Sequence, residues 1–303
     1  MSFVRRAPRR ISRGLSELAG QLQLIRSFEL EPNELVLDVG SGQNPNMRAN
    51  VLCDRFISDN SERACGGKPV SDRPLVVADA ERLPFRDGAF DFVVCSHLME
   101  HVRHPERLAS ELQRVAARGY IETPSRIHER LYGNPFHKWF VARDNGSLHL
   151  LPKPSATFSD EMSSWFRGQL ENHDAFEDLV ARRLDDLDFL VRYHWRGSID
   201  IEVEGSIPSE TEFVFANDGD EGEAADLDTR PVTPGQKLRS LLGRLMRYRS
   251  ERLARRLPEL LVCSRCGTAP LQRDNDALAC PEGHRFPVRN NLFFVGEEFE
   301  GKS

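Results

Sequence analysis

Two groups of residues have the types and spacing to do chemistry. The first is the run from Leu35 to Gly42, Leu-Val-Leu-Asp-Val-Gly-Ser-Gly. Apolar and β-branched residues around a single Asp predict a strand buried on both faces, and Gly40 and Gly42 let the backbone turn sharply at its carboxyl end, as a ligand-cradling loop must. A dinucleotide loop would continue Gly-x-Gly-x-x-Gly, but the third place is Pro45, which fits a pyrophosphate poorly. Asp38 can instead accept from an ammonium that a phosphate site would repel. S-adenosylmethionine carries that ammonium. The second group lies near the other end: Cys263-Ser-Arg-Cys266, then thirteen residues, then Cys280-Pro-Glu-Gly-His284. Two pairs of soft ligands on tight turns suit a tetrahedral zinc ion, and a segment as short as Leu260 to Val295 needs such a staple to fold.

The elements that must position the first group follow in order. Asn50 to Asp54 reads as a short strand ending in a carboxylate, and Asp54 is a candidate acceptor for ribose hydroxyls or, equally, a capping residue. Arg55 to Pro74, with Gly66-Gly67, reads as a loop insertion over the site. Leu75 to Ala80 repeats strand then acid at Asp79. Leu83-Pro84-Phe85 and Asp87-Gly88 form a turn, and Phe90 to Ser96 is the next buried strand. Pro105 fits a first helical position, Leu108, Leu112 and Val115 line one face, and Gly119 stops that helix before a fifth strand over Tyr120–Pro124. Alternating strand and helix predicts an α/β, Rossmann-like, doubly wound and mostly parallel sheet, with ligands at the carboxyl ends of its strands. That topology brings His101 and Glu122 near a reacting group, where each either moves a proton or makes a structural hydrogen bond.

The ordered series Val36-Leu-Asp-Val-Gly-Ser-Gly, Val77-Ala-Asp-Ala with Leu83-Pro-Phe, and Phe90 through Val102 with Arg114-Val115 resembles the class I S-adenosylmethionine-dependent methyltransferases of the type 11 branch. The resemblance covers roughly a third of the chain. It implies that Asp38, Gly40 and Gly42 hold the methionine part of the cofactor, Asp54 the ribose, and Asp79 with Ala80 the adenine, while Ser96 lies against it. The interval before Asp54 is shorter than the pattern.

Past Pro124 the motifs thin out. Phe136 to Arg143 and Ser147 to Lys153 flank Asn145-Gly146 and predict a β-hairpin, because Asn-Gly tolerates the positive φ of a two-residue turn. Phe158 to Leu190 reads as helical, Leu187 to Glu204 as strand, and Thr211 to Phe215 as a further strand closing the sheet. Tyr132, His137, Trp139 and Trp165 either line an acceptor pocket or belong to the core. Residues 217–236 are an acidic linker by composition, and 237–258 a basic amphipathic helix around Leu238, Leu241, Leu242, Leu245 and Met246, suited to docking on a neighbouring domain, on RNA or, through 237–257, on a membrane surface. Residues 259–303 form a small zinc-ribbon domain that resembles the Trm112-like ribbons accompanying methyltransferases. Its Cys-Pro-x-x-His-x-Phe piece is also similar to the ribbon of bacterial 23S rRNA guanine methyltransferases, where it precedes the catalytic domain instead of following it.

At the amino end, Ile11, Leu15, Leu18, Leu22 and Ile25 predict an amphipathic helix behind a basic arm, together residues 1–30, ahead of a main domain over 31–216. The formal charge of -6 in 303 residues argues against a general nucleic-acid binder, and no apolar run reaches the roughly 20 residues that span a bilayer. Clustered cysteines favour metal over disulfides, and without a secretory signal the expected compartment is the cytoplasm. The expected activity is methyl transfer to a small-molecule, lipid-linked or glycan acceptor. RNA modification and a noncatalytic scaffold are the alternatives.

Overall fold

A computed structural model of the chain describes residues 18–57, 69–134, 136–154, 161–182, 188–207, 234–248 and 255–296. The basic arm, the segment Thr211 to Phe215, most of the acidic linker and the end of the basic helix lie outside these residues, as does Gly66-Gly67. After a helix over 18–27 (α1), the chain forms β1 (Val36–Val39), β2 (Val51–Asp54), β3 (Leu75–Val77), β4 (Phe92–Ser96), α2 (Pro105–Val115), β5 (Arg118–Pro124) and α3 (Arg126–Tyr132). There follow β6 (Trp139–Asp144), β7 (Ser147–Pro152), α4 (Glu161–Asn172), α5 (Asp174–Arg182), β8 (Leu190–Arg196), β9 (Ile201–Val203) and α6 (Pro234–Arg247). The carboxyl-terminal part holds α7 (Leu257–Leu260), β10 (Gln272–Asp274), β11 (Ala277–Ala279), β12 (Arg285–Arg289) and β13 (Leu292–Phe294).

Among the described residues, one sheet of ten strands runs in the order β10-β11-β12-β13-β3-β2-β1-β4-β5-β8. The strands from β3 through β5 are parallel and β8 closes that side antiparallel, Gly119 opposite Trp195. β1 is buried along its whole length, as a central strand covered on both faces must be, and that is why its sequence is an unbroken apolar run apart from Asp38. The predicted hairpin is β6 and β7, and Asn145 and Gly146 both have positive φ at its turn.

The link between β1 and β2 differs from the alternation expected of a doubly wound sheet. Residues 40–50 contain no helix, since so few residues cannot hold one and still cross to a parallel neighbour. Arginines fix this segment instead. Arg73 donates to the carbonyls of Asn46 and Ala49, Arg48 to those of Glu31 and Glu34, and Arg247 of α6 to that of Met47. A Cβ on Gly243 would lie 3.1 Å from the Met47 carbonyl, so α6 rests directly on this link. Gly243 and Arg247 form its docked side, whereas Leu238, Leu241 and Leu245 are exposed.

The last strand carries the most consequence for architecture. β13 lies parallel to β3, with Leu292, Phe293 and Phe294 beside Leu75, Val76 and Val77. Leu75 N–H donates to Asn291 O at 2.9 Å, Arg86 N–H to Leu260 O at 2.8 Å, and Val262 N–H to Pro84 O at 3.0 Å. Leu261, Leu278, Phe286, Phe293 and Val295 share one core with Val76, Leu83 and Phe85.

Candidate active site

The strand ends β3, β2, β1 and β4 are neighbours, so the groups that follow them converge. Gly40 (φ +73°) and Gly42 (φ +49°) turn the chain out of β1. Gly40 N–H and Ser41 N–H both donate to Cys53 O, at 2.8 and 3.2 Å, which folds the loop over the end of β2. Asp54 then pins the loop from below: one carboxylate oxygen accepts from Gly42 N–H at 2.8 Å, the other from Phe56 N–H at 3.1 Å. Asp38 is buried and accepts from Asn46 N–H at 2.6 Å. Asp79 follows β3, accepts from Glu81 N–H at 2.8 Å and faces the Arg55 guanidinium at 3.3 Å. Ala80 is buried beside it, and Ser96 ends β4 half-buried. The convergence registers on the Cys53 thiol. Burial pushes its pKa well up, and the charges of Asp54, Asp79 and Asp38 push it further.

On the other side, past β4 and β5, a polar cluster is built into the protein. His97 takes a left-handed turn (φ +53°) immediately after β4, and its N–H donates to Glu122 O at 2.8 Å. Its ring, 52% exposed, lies with Nδ1 3.6 Å from Glu100 and Nε2 3.8 Å from Glu122. Burial pulls the imidazole pKa down, but the two carboxylates outweigh it and the net shift is upward. Glu100 is buried and accepts from Thr123 Oγ1 at 2.8 Å. Burial would raise its pKa, yet His97, His137 and His101 hold it at about 2. Glu122 accepts from Tyr120 Oη at 2.6 Å and Arg192 Nε at 3.1 Å on one oxygen. The His101 ring stands edge-on to that of His137, with centroids 4.6 Å apart.

Deeper still, His137 Nδ1 donates to Glu129 at 2.5 Å, and Lys153 Nζ donates to the other Glu129 oxygen at 2.5 Å. Burial raises the Glu129 pKa, but His137 and Lys153 more than reverse it. Of the remaining aromatics, Trp139 is core, its indole N–H donating to Val102 O at 2.9 Å. Tyr132 stacks on His128, with centroids 4.3 Å apart, whereas Trp165 is exposed.

Residues 37–121 match the family described as "Methyltransferase domain". This segment is a methyltransferase domain. The chain is 30% identical over 109 residues to ajmaline N-methyltransferase of Rauvolfia serpentina, a match covering 30% of this chain and 37% of the relative. It is 30% identical over 149 residues to malonyl-[acyl-carrier protein] O-methyltransferase of Geobacter sulfurreducens, covering 44% and 51%. The chain thus spans about half or less of the length of these curated relatives. Among solved structures, it is similar to one in the complex of the Haloferax volcanii Trm112 methyltransferase activator with a methyltransferase. That likeness is 15% identical with a TM-score of 0.35, over 56% of this chain and 84% of the other.

The methyltransferase domain and the carboxyl-terminal segment meet at β3, and there the structure brings Cys263, Cys266, Cys280 and His284 together. Cys263 Sγ and Cys280 Sγ each lie 3.4 Å from His284 Nδ1, and Cys266 Sγ lies 3.9 Å from Cys280 Sγ. A tetrahedral zinc ion with bonds of about 2.3 Å to sulfur and about 2.0 Å to nitrogen would separate sulfurs by roughly 3.8 Å and sulfur from nitrogen by roughly 3.5 Å. The donor set and its spacing fit that ion.

Sequence reasoning missed three features of the structure. His97 has no signal of its own beyond its spacing of three from Glu100, because nothing local announces that its backbone takes a left-handed turn. Glu129 and Lys153 are far apart in the chain, on a helix and just past a hairpin, so no local periodicity links them. The pairing of β13 with β3 is equally non-local.

Proposed function

We propose that the chain is an S-adenosylmethionine-dependent methyltransferase acting on a small-molecule, lipid-linked or glycan acceptor, with a structural zinc ion on Cys263, Cys266, Cys280 and His284. One observation carries the donor assignment: three carboxylates, Asp38, Asp54 and Asp79, converge around a glycine turn at adjacent strand ends. A cofactor with an ammonium and a sulfonium relieves that negative charge, whereas a phosphate would add to it. Asp38 would take the ammonium, with Gly40 and Gly42 giving the backbone room. Asp54 would accept from the ribose, Asp79 and Ala80 would meet the adenine, and Ser96 would flank the methyl.

The cofactor supplies the reactive methyl, and the protein supplies alignment for in-line attack. Where the acceptor is a hydroxyl or amine, His97 is the best-placed proton acceptor, since it follows β4, is half exposed and faces Glu100 and Glu122. Glu122, already engaged by Tyr120 and Arg192, orients that ring. The two relatives are named for ajmaline and for a malonyl group on acyl-carrier protein, which supports a small or carrier-borne acceptor.

Calorimetric titration with S-adenosylmethionine tests the reading. Micromolar binding by the wild type, lost in Asp79→Ala, is the expected result. A folded, zinc-loaded wild type that binds no cofactor overturns it in favour of a scaffold. Salt-dependent binding of structured RNA would move the acceptor class to nucleic acid.

A further inference from the structure

We propose that Glu100, His101 and His137 bind a divalent first-row transition metal ion beside the methyl acceptor. One ligand atom from each lies within 4.8 Å of the others, and the set of two imidazoles and one carboxylate leaves coordination positions open. Three further observations point to an ion. Glu100 is 1% exposed; its Oε2 accepts from Thr123, while its Oε1 has no partner within hydrogen-bond distance, with His97 Nδ1 at 3.6 Å and His137 Nε2 at 3.9 Å from it. A buried carboxylate oxygen without a donor is costly unless a cation meets it. Next, His137 spends its Nδ1 on Glu129, which leaves Nε2 directed at Glu100 Oε1 across 3.9 Å. That gap is too long for a hydrogen bond, and an ion between the two atoms would draw them a few tenths of an ångström closer. Finally, Glu129 is the carboxylate behind an imidazole that metal sites use to fix tautomer and ring orientation, and Lys153 locks Glu129 in turn.

The backbone holds the ligands at matching height. Glu100 and His101 follow β4, and Lys138 N–H donates to Glu100 O at 2.7 Å while Lys138 Nζ donates to His101 O at 2.5 Å. Residue 137 is thereby fixed beside residues 100 and 101. The ammonium of Lys138 donates to His101 O, and that of Lys153 to Glu129 and to Asn134 O. Mixed nitrogen and oxygen donors favour Mn²⁺, Fe²⁺, Co²⁺ or Zn²⁺ over Mg²⁺ or Ca²⁺. The use of the ion rests on the methyltransferase reading: an acceptor hydroxyl on an open position would be polarised and held in line with the methyl. Its binding does not depend on that reading.

Mn²⁺ is the probe, because the thiolate cluster at Cys263 binds it poorly. Free Mn²⁺ is read by electron paramagnetic resonance during titration of zinc-loaded protein, with S-adenosylmethionine binding measured on the same samples. The expected result is one saturable Mn²⁺ per chain, weakened at least tenfold in His137→Gln and Glu100→Gln and unchanged in Asp79→Ala. Pulsed spectra of the wild-type complex should show nitrogen coupling from two imidazoles, a readout that needs no variant to fold. Absence of a saturable site, absence of nitrogen coupling, or loss of Mn²⁺ in Asp79→Ala with retention in His137→Gln overturns the proposal. Cofactor binding that survives such a result leaves the methyltransferase reading standing, and its loss alone leaves the metal site standing.

Discussion

At the scale of single residues, Gly40 is where local geometry is least forgiving. Its φ of +73° lies in the left-handed region, and a Cβ there would come within 3.0–3.2 Å of the Leu98 side chain. A β-branched residue is strained in that region by roughly 1–3 kcal/mol before any clash. Gly40→Val should therefore keep the fold and weaken S-adenosylmethionine at least tenfold by calorimetry; unchanged affinity would remove the loop from the site. His128 gives a prediction on pH. Burial holds its pKa down at about 4, and its Nδ1 is buried without a hydrogen-bond partner. Unfolded histidine titrates near 6.5. Between these values the unfolded chain binds the extra proton, so stability falls as pH drops from about 6.5 to about 4 and the loss is complete below that. At about 1.4 kcal/mol per unit the loss is about 3 kcal/mol at most. His128→Phe, which keeps the aromatic stack on Tyr132, should flatten that slope in denaturant titrations at pH 7 and pH 4.5. Glycines, strand-end acids and metal-pair spacings of this kind are legible in sequence because each acts through its own neighbours. His97 and His137 are not, since their roles depend on residues that only the fold brings close.

At the scale of elements, α3 shows how a short helix is held by partners beyond it. Ser125 caps it, its hydroxyl accepting from His128 N–H at 3.2 Å, and Gly133 ends it in the left-handed conformation. Glu129 on its inner face is almost fully buried, between Lys153 just past β7 and His137 just before β6. Removing one partner of such a pair leaves an uncompensated buried charge, which costs about 3–5 kcal/mol. Lys153→Met should destabilise the protein by that amount in urea titration, while Lys153→Met combined with Glu129→Gln should recover part of it. If the single and double variants are equally stable, the pair does not tie helix to hairpin. The hairpin itself was readable because Asn145-Gly146 dictates its turn. The bare link between β1 and β2 was not, because arginines from distant positions and α6 do the work that a crossover helix would announce by its periodicity.

At the scale of the whole molecule, the question is whether the carboxyl-terminal segment is an appendage or part of the main sheet. Sequence composition separates it cleanly, with acidic and basic stretches before the cysteine pairs, and nothing local says that Leu292–Phe294 will pair with Leu75–Val77. The structure places β13 along the edge of β3, two residues before the Asp79 that is proposed to meet adenine. If zinc on Cys263, Cys266, Cys280 and His284 organises the loops that carry β12 and β13, its removal strips β13 from the side of β3, together with the buried Leu292, Phe293 and Val295. Losing that burial costs about 4 kcal/mol or more, which for a chain of this size lowers Tm by roughly 10 °C. Chelation, or Cys266→Ser, should therefore lower the Tm of the whole protein in one transition and weaken S-adenosylmethionine in parallel, with both restored by added zinc. Two transitions, the larger at an unchanged temperature, would show that the zinc segment folds by itself and that β13 adds nothing to the cofactor site. A single shifted transition would mean that the ion, although remote from the methyl, sets the position of Asp79 through the strand it anchors.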